Sequence, residues 1–154
     1  MEPVVFAPDP GLDALRRVRA ELRESMATLE QALAAPAPGR VGEWAERVNA
    51  ALVEFSVEFR EHVAVTEGAE GLHGDVLETA PRLSKAVERL IGEHAVIVDL
   101  AGDLLARVSH PLSDSDVVAI RDHGTDLLGL LARHRQRGAD LIYEAYEVDL
   151  GGET

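Results

Sequence analysis

The chain contains no cysteine, which removes disulfides, thiolate ligands and thiol chemistry, and with them iron–sulfur and Cys-based zinc sites. That absence fits a cytoplasmic protein. Aromatic residues make up only 4% of the sequence, too few for a base-stacking surface. Positive charge is also scarce: 15 Lys and Arg stand against 28 Asp and Glu, a formal charge of −13. Such an excess argues against nucleic-acid backbones and anionic membranes as partners. No stretch approaches the roughly 18 uncharged apolar residues of a membrane span. The opening MEPVVFAPDP lacks the basic start and apolar run of a signal peptide. Glycine-rich phosphate loops, a nucleophile elbow, an H-E-x-x-H pair, internal repeats and strand-like alternation are missing as well.

What is present is helical periodicity in a chain of 154 residues, the size of one domain. Residues 1–9 read as an N-terminal arm, residues 10–150 as the folded bundle and residues 151–154 as a tail. Val4, Val5 and Phe6 of the arm are expected to pack on the domain or to mediate a dimer. Asp9 as N-cap and Pro10 in the first turn start a helix that runs to about residue 34. Its apolar face carries Leu12, Leu15, Leu22, Met26, Leu29 and Leu33. AAPAPGR then breaks the pattern. A second helix from near Gly42 puts Val48, Leu52, Phe55, Phe59 and His62 on one face. Ala80-Pro81 opens a third, with Val87, Leu90, His94, Val98, Ala101, Leu105 and Val108. Ser113 and Asp116 have capping-box spacing for a fourth, which carries Ile120, Leu127, Leu131, His134 and Leu141. Four amphipathic helices joined by short links predict an all-α, antiparallel up-down-up-down four-helix bundle.

His62, His94 and His134 fall on the apolar faces of three different helices, and counting along an antiparallel bundle places them in one layer. His94 lies 13 residues past Pro81, about 20 Å along the axis. The second helix meets the same level only if it continues past His62 to about residue 75, so residues 67–75 are expected to be a kinked continuation of it despite Gly68, Gly71 and Gly74. The first helix brings Leu22 to the layer, with Arg19, Glu21, Arg23 and Met26 nearby. Neutral imidazoles tolerate burial only with partners, so an inward-facing trio points to a metal site.

The carboxylates are less regular. Thr66 stands four residues beyond His62, and Glu67 reaches inward only if the helix is bulged, which Gly68 permits. Glu67 therefore joins the histidines as a conditional ligand. Glu58, a turn before His62, is its rival, and Glu21, Asp99, Asp140 and Glu144 are further candidates for direct or supporting roles. His73 shares the face of His62 three turns away and is assigned to the bundle end, with a gating or hydrogen-bonding role. Tyr143, beside Glu144, can supply a hydroxyl above the site.

FREHVAVTEGAEGL, APRLSKAVERLIGEH and LLARHRQRGADLIYEAYEVDLGG, in this order and at these separations, resemble the hemerythrin-like, or HHE cation-binding, family. The resemblance covers roughly residues 12–148. It implies a four-helix bundle holding a di-iron, oxygen-reactive centre. Residue by residue, the family's second-, third- and fourth-helix histidines correspond to His62, His94 and His134, whereas its other ligands fall on Leu22, Thr66, Val98 and Ala139. An incomplete set of this kind suits one Fe(II) or Zn(II) with open positions for water, dioxygen or another small molecule. A modified dinuclear iron centre results if Glu21, Glu58, Asp140 or Glu144 swings in. The alternative is a degenerate bundle without stoichiometric metal, acting as a small-ligand or protein-binding module. Monomer and homodimer both remain open, as does catalysis.

Overall fold

A computed structural model describes residues 10–68, 71–110 and 112–148. The expected N-terminal arm and C-terminal tail, and with them Val4, Val5 and Phe6, lie outside the described residues. Five α-helices follow one another: α1 (Pro10–Ala34), α2 (Val41–Glu67), α3 (Leu72–Thr79), α4 (Ser84–Val108) and α5 (Asp114–Ile142). A short 3₁₀ turn, Pro81–Leu83, leads into α4, and a π-helical turn, Tyr143–Val148, follows α5.

The long helices α1, α2, α4 and α5 form a four-helix bundle, and cross-helix contacts give their directions. Arg17 near the start of α1 meets Glu61 near the end of α2 at 3.4 Å. At the other end, the Trp44 indole N–H donates to the Leu33 carbonyl at 3.3 Å. These two helices are therefore antiparallel. Arg121, early in α5, donates to the carbonyls of Leu33 and Ala35 at 2.8 and 2.7 Å. It adds a second donor to the Leu33 carbonyl and satisfies that of Ala35 just past the end of α1, and its guanidinium also lies 5.5 Å from the Trp44 ring. Arg82, before α4, reaches Glu144 after α5, so these two helices also run in opposite directions. The Ser113 N–H donates to Asp116 Oδ2 at 2.8 Å, completing the cap at the start of α5.

The α2–α3 junction differs from the expected kinked continuation. α2 stops at Glu67 and α3 starts at Leu72, with Gly68 and Gly71 at the break. Both glycines are required by close backbone approach. A Cβ on Gly68 would sit 2.5 Å from the Ala64 carbonyl oxygen, and one on Gly71 would sit 2.6 Å from that of Thr66. The chain turns too tightly there for a side chain, and α3 packs separately as a lid.

Two apolar clusters fill the bundle. The larger one includes Leu22, Leu29, Trp44, Phe55, Phe59, Ile97, Leu104 and Leu127. A smaller cluster of Val76, Val87, Leu90, Leu141 and Ala145 gathers at the end covered by α3. On α4 the inward positions are Ile97 and Leu104 rather than the expected Val98 and Leu105. Val98 is 53% exposed. The periodicity admitted either neighbour, and the rotation of α4 against α2 and α5 chose.

Candidate metal centre

Between the two apolar clusters lies a layer of imidazoles. His62 of α2, His94 of α4 and His134 of α5 are all buried. Their ring centroids are separated by 5.2 Å (His62–His94), 5.4 Å (His62–His134) and 4.8 Å (His94–His134). One nitrogen from each ring lies within 4.8 Å of the others. Phe59, one turn before His62, forms the floor, stacking on His62 at 5.4 Å and meeting His94 and His134 in T-shaped contacts.

Carboxylates fix two of the three rings. His94 Nδ1 donates to Glu67 Oε2 at 2.6 Å, and His134 Nδ1 donates to Glu93 Oε1 at 3.0 Å. A carboxylate only accepts, so each Nδ1 carries the proton and each Nε2 keeps its lone pair. Metal-binding histidines characteristically donate their second ring nitrogen in this way, which sets the tautomer and raises ligand basicity. Glu93 is itself held by Arg137 of α5.

The remaining nitrogens are poorly served. His62 Nε2 lies 3.3 Å from His134 Nε2, and in the neutral trio it donates to that lone pair. Among the described residues, His62 Nδ1 and His94 Nε2 are buried without a partner. An unsatisfied buried polar atom costs about 1–3 kcal/mol, so this layer subtracts stability from the metal-free protein. Burial pushes the His62 imidazole down to about 3, assisted by repulsion from His94 and His134. His134 is also lowered by burial, with Glu93 pulling the other way. Neutral imidazoles are what a divalent transition-metal ion takes as ligands, and His94 and His134 already keep their Nε2 lone pairs. The residues present therefore fit a metal.

His73 is nearer the site than expected. The break at Gly68 and Gly71 turns α3 back over the layer, so the His73 ring stacks parallel on His94 at 5.9 Å instead of lying three turns away. It is buried, its Nδ1 has no partner among the described residues, and burial lowers it to about 4. Thr66, at the position of the resembling family's carboxylate, is also buried, but its hydroxyl donates to the His62 carbonyl at 2.9 Å.

The other candidate residues lie apart from the imidazoles. Asp99 is exposed on α4, and Asp140 is exposed and accepts from Gln136 at 2.9 Å. Tyr143 is 55% exposed, and Glu144 turns to Arg82 at 3.6 Å. Glu21 and Glu58 join Glu61 in a separate acidic group between α1 and α2. There burial first, then the hydrogen bond and repulsion from Glu21, push the Glu58 carboxyl up.

Glu93 was not among the residues singled out from the sequence. Its only signal was its place beside His94: adjacent helical residues diverge by about 100°, so when His94 points inward Glu93 can face α5. A small cavity, ≈ 30 Å³, adjoins the imidazoles, and its walls include Leu15, Arg19, Leu22, His73, Arg135 and Leu141. That space suffices for a water-sized body. Comparison with protein-family models, curated proteins and solved structures gives no match in any of the three.

Proposed function

We propose that this protein binds one non-haem divalent transition-metal ion, iron or zinc, through His62, His94 and His134. The hemerythrin-like resemblance of the sequence agrees with that reading, but the ligand set favours a mononuclear site over a di-iron one. The observation that carries it is the pairing of buried imidazoles with carboxylates: His94 and His134 each give Nδ1–H to a glutamate, leaving Nε2 for the ion. Glu67 on this reading orients His94 rather than binding the metal itself.

Bound there, such an ion would supply Lewis acidity to a ligand entering the adjoining cavity. The protein's own contribution is positional. Glu67 and Glu93 hold the two tautomers, Phe59 and the leucines keep the layer dry, and α3 with His73 covers the open end. Dioxygen or another small molecule is the ligand class that so small a space admits.

The test is reconstitution of metal-free protein with Zn(II), Co(II) and, anaerobically, Fe(II), followed by elemental analysis and thermal melting. One ion per chain and a higher melting temperature are expected. At one hundred times Kd the stabilisation is about 2.7 kcal/mol, which raises Tm by roughly 5–11 °C for a chain of this size. Two irons per chain would replace the mononuclear reading with a dinuclear one. No retained metal and an unchanged Tm would overturn both.

A further inference from the structure

Four buried imidazoles border the cavity, because His73 of α3 joins His62, His94 and His134 there. His73 is only 5% exposed, and its ring lies nearly parallel to that of His94 at 5.9 Å. It nevertheless stands outside the group of His62, His94 and His134, whose ligand atoms all lie within 4.8 Å of one another. The ring is therefore placed beside the proposed metal position and not in it. Its place is fixed by the backbone, since Gly68 and Gly71 hold the turn that brings α3 over the layer. His94 and His134 give Nδ1–H to Glu67 and Glu93. His73 has no such carboxylate: its Nδ1 is buried without a partner among the described residues. The Thr66 hydroxyl, on the same wall, already donates to the His62 carbonyl at 2.9 Å. A buried ring nitrogen is costly to leave unmatched, so its position on a cavity wall points to a partner that enters the cavity.

We propose that His73 is the binding residue for a diatomic ligand of the metal centre, donating its Nδ1–H to the outer atom of that molecule. A neutral imidazole carries one N–H and one lone pair, and no acceptor among the described residues competes for this one. The cavity, ≈ 30 Å³, is about twice the roughly 10–15 Å³ that a single water needs, which admits two heavy atoms and little more. Leu15, Leu22, Leu90 and Leu141 make much of the remaining wall apolar, so one hydrogen bond sets how long such a ligand stays. The inference rests on the metal-centre reading and adds the residue that retains its ligand.

Nitric oxide binding to the Fe(II) protein, prepared anaerobically, tests the proposal through iron content, the N–O stretching frequency and the rate of NO release. His73→Phe keeps a stacked ring and removes the nitrogen. It should leave iron content unchanged, raise the N–O stretching frequency and speed NO release about 3- to 10-fold. His73→Asn, whose amide reaches the place of Nδ1, should reverse part of both changes. The wild-type stretch should differ between H₂O and D₂O, a comparison that needs no variant and decides the matter even if a substitution prevents folding. An unmoved stretch in D₂O, or wild-type stretch and release rate in His73→Phe, overturns the proposal. So does Arg135→Met, which removes another unpartnered buried nitrogen of the wall, if it reproduces the changes that His73→Phe fails to give. Loss of iron from His73→Phe would make His73 a ligand and refute the role. Iron-loaded wild type that takes up no NO refutes the His73 role alone, whereas wild type that retains no iron refutes the metal centre and this inference with it.

Discussion

Glu93→Ala is the most informative single substitution, because it removes no proposed ligand and acts only through one. The Glu93 side chain is 12% exposed and makes two contacts, accepting from His134 Nδ1 at 3.0 Å and pairing with Arg137. Truncation leaves the buried His134 N–H without an acceptor, a penalty of about 1–3 kcal/mol. Arg137 is 30% exposed at its side chain and can turn to water, so its release adds little. A loss of about 2 kcal/mol in the metal-free protein lowers Tm by roughly 4–8 °C. Metal affinity should fall as well, because His134 loses both its fixed tautomer and the basicity lent by the carboxylate, typically 10- to 100-fold. Glu93→Gln keeps an acceptor and discards the charge, so it should preserve most of the stability while still weakening metal binding. The assay is competition for Zn(II) against a chromophoric chelator, run beside thermal melts of the metal-free proteins. Combining Glu93→Ala with His134→Ala should add almost nothing to the affinity loss of His134→Ala. Full additivity, or an affinity for Glu93→Ala within threefold of wild type, would refute the orienting role.

Other outcomes follow from the same geometry. His62→Ala, His94→Ala and His134→Ala should each reduce metal per chain in elemental analysis, while His110→Ala on the exposed α4–α5 link should not; retention of metal in all three cluster variants would displace the site. The stability of the metal-free protein should fall with acid: the folded His62 titrates at about 3 against an ordinary 6.5, so between those values the unfolded chain holds the extra proton. This contribution is fully present above about pH 6.5 and is lost as pH falls toward 3, reaching about 3 kcal/mol near pH 4. Denaturant melts of wild type and of a His62→Leu variant should diverge over that window, and parallel pH profiles would contradict the assignment. Gly124→Ala should destabilise by about 1–3 kcal/mol, since its Cβ would fall 2.5 Å from Leu33 Cδ1 where α5 crosses α1. Gly102→Ala, with nothing within 4 Å of its Cβ, should stabilise by about 0.5–1 kcal/mol in the same melts.

Periodicity carried the bundle, because a helix buries one stripe and that stripe is written in the chain. Leu29, Leu52, Phe55, Phe59, Leu127 and Leu131 all sit where their spacing put them, and the start of α1 and the cap of α5 were equally local. The shared level of the histidines was also reached by counting rise per residue between antiparallel neighbours, although α2 ends at Glu67 instead of continuing to about residue 75 as the count required. Where two adjacent positions were both apolar, as at Ile97 and Val98, the periodicity could not choose between them.

Side-chain direction across helices was not legible, because it depends on how each helix is rotated in the assembled bundle. That rotation turned Glu93 toward His134 and Glu67 toward His94, making carboxylates from different helices the partners of the rings. The tight backbone at Gly68 and Gly71 folded α3 over the layer and brought His73 onto His94, a contact that straight helical counting had set three turns away. It also brought Arg19 and Arg135 to the wall of a cavity that exists only between helices. The sequence alone determined the four long helices, most of their buried faces and a common level for three imidazoles, because each follows from local spacing. Only the tertiary structure decided which protons, carboxylates and cations surround them, because those contacts join residues that no local pattern relates.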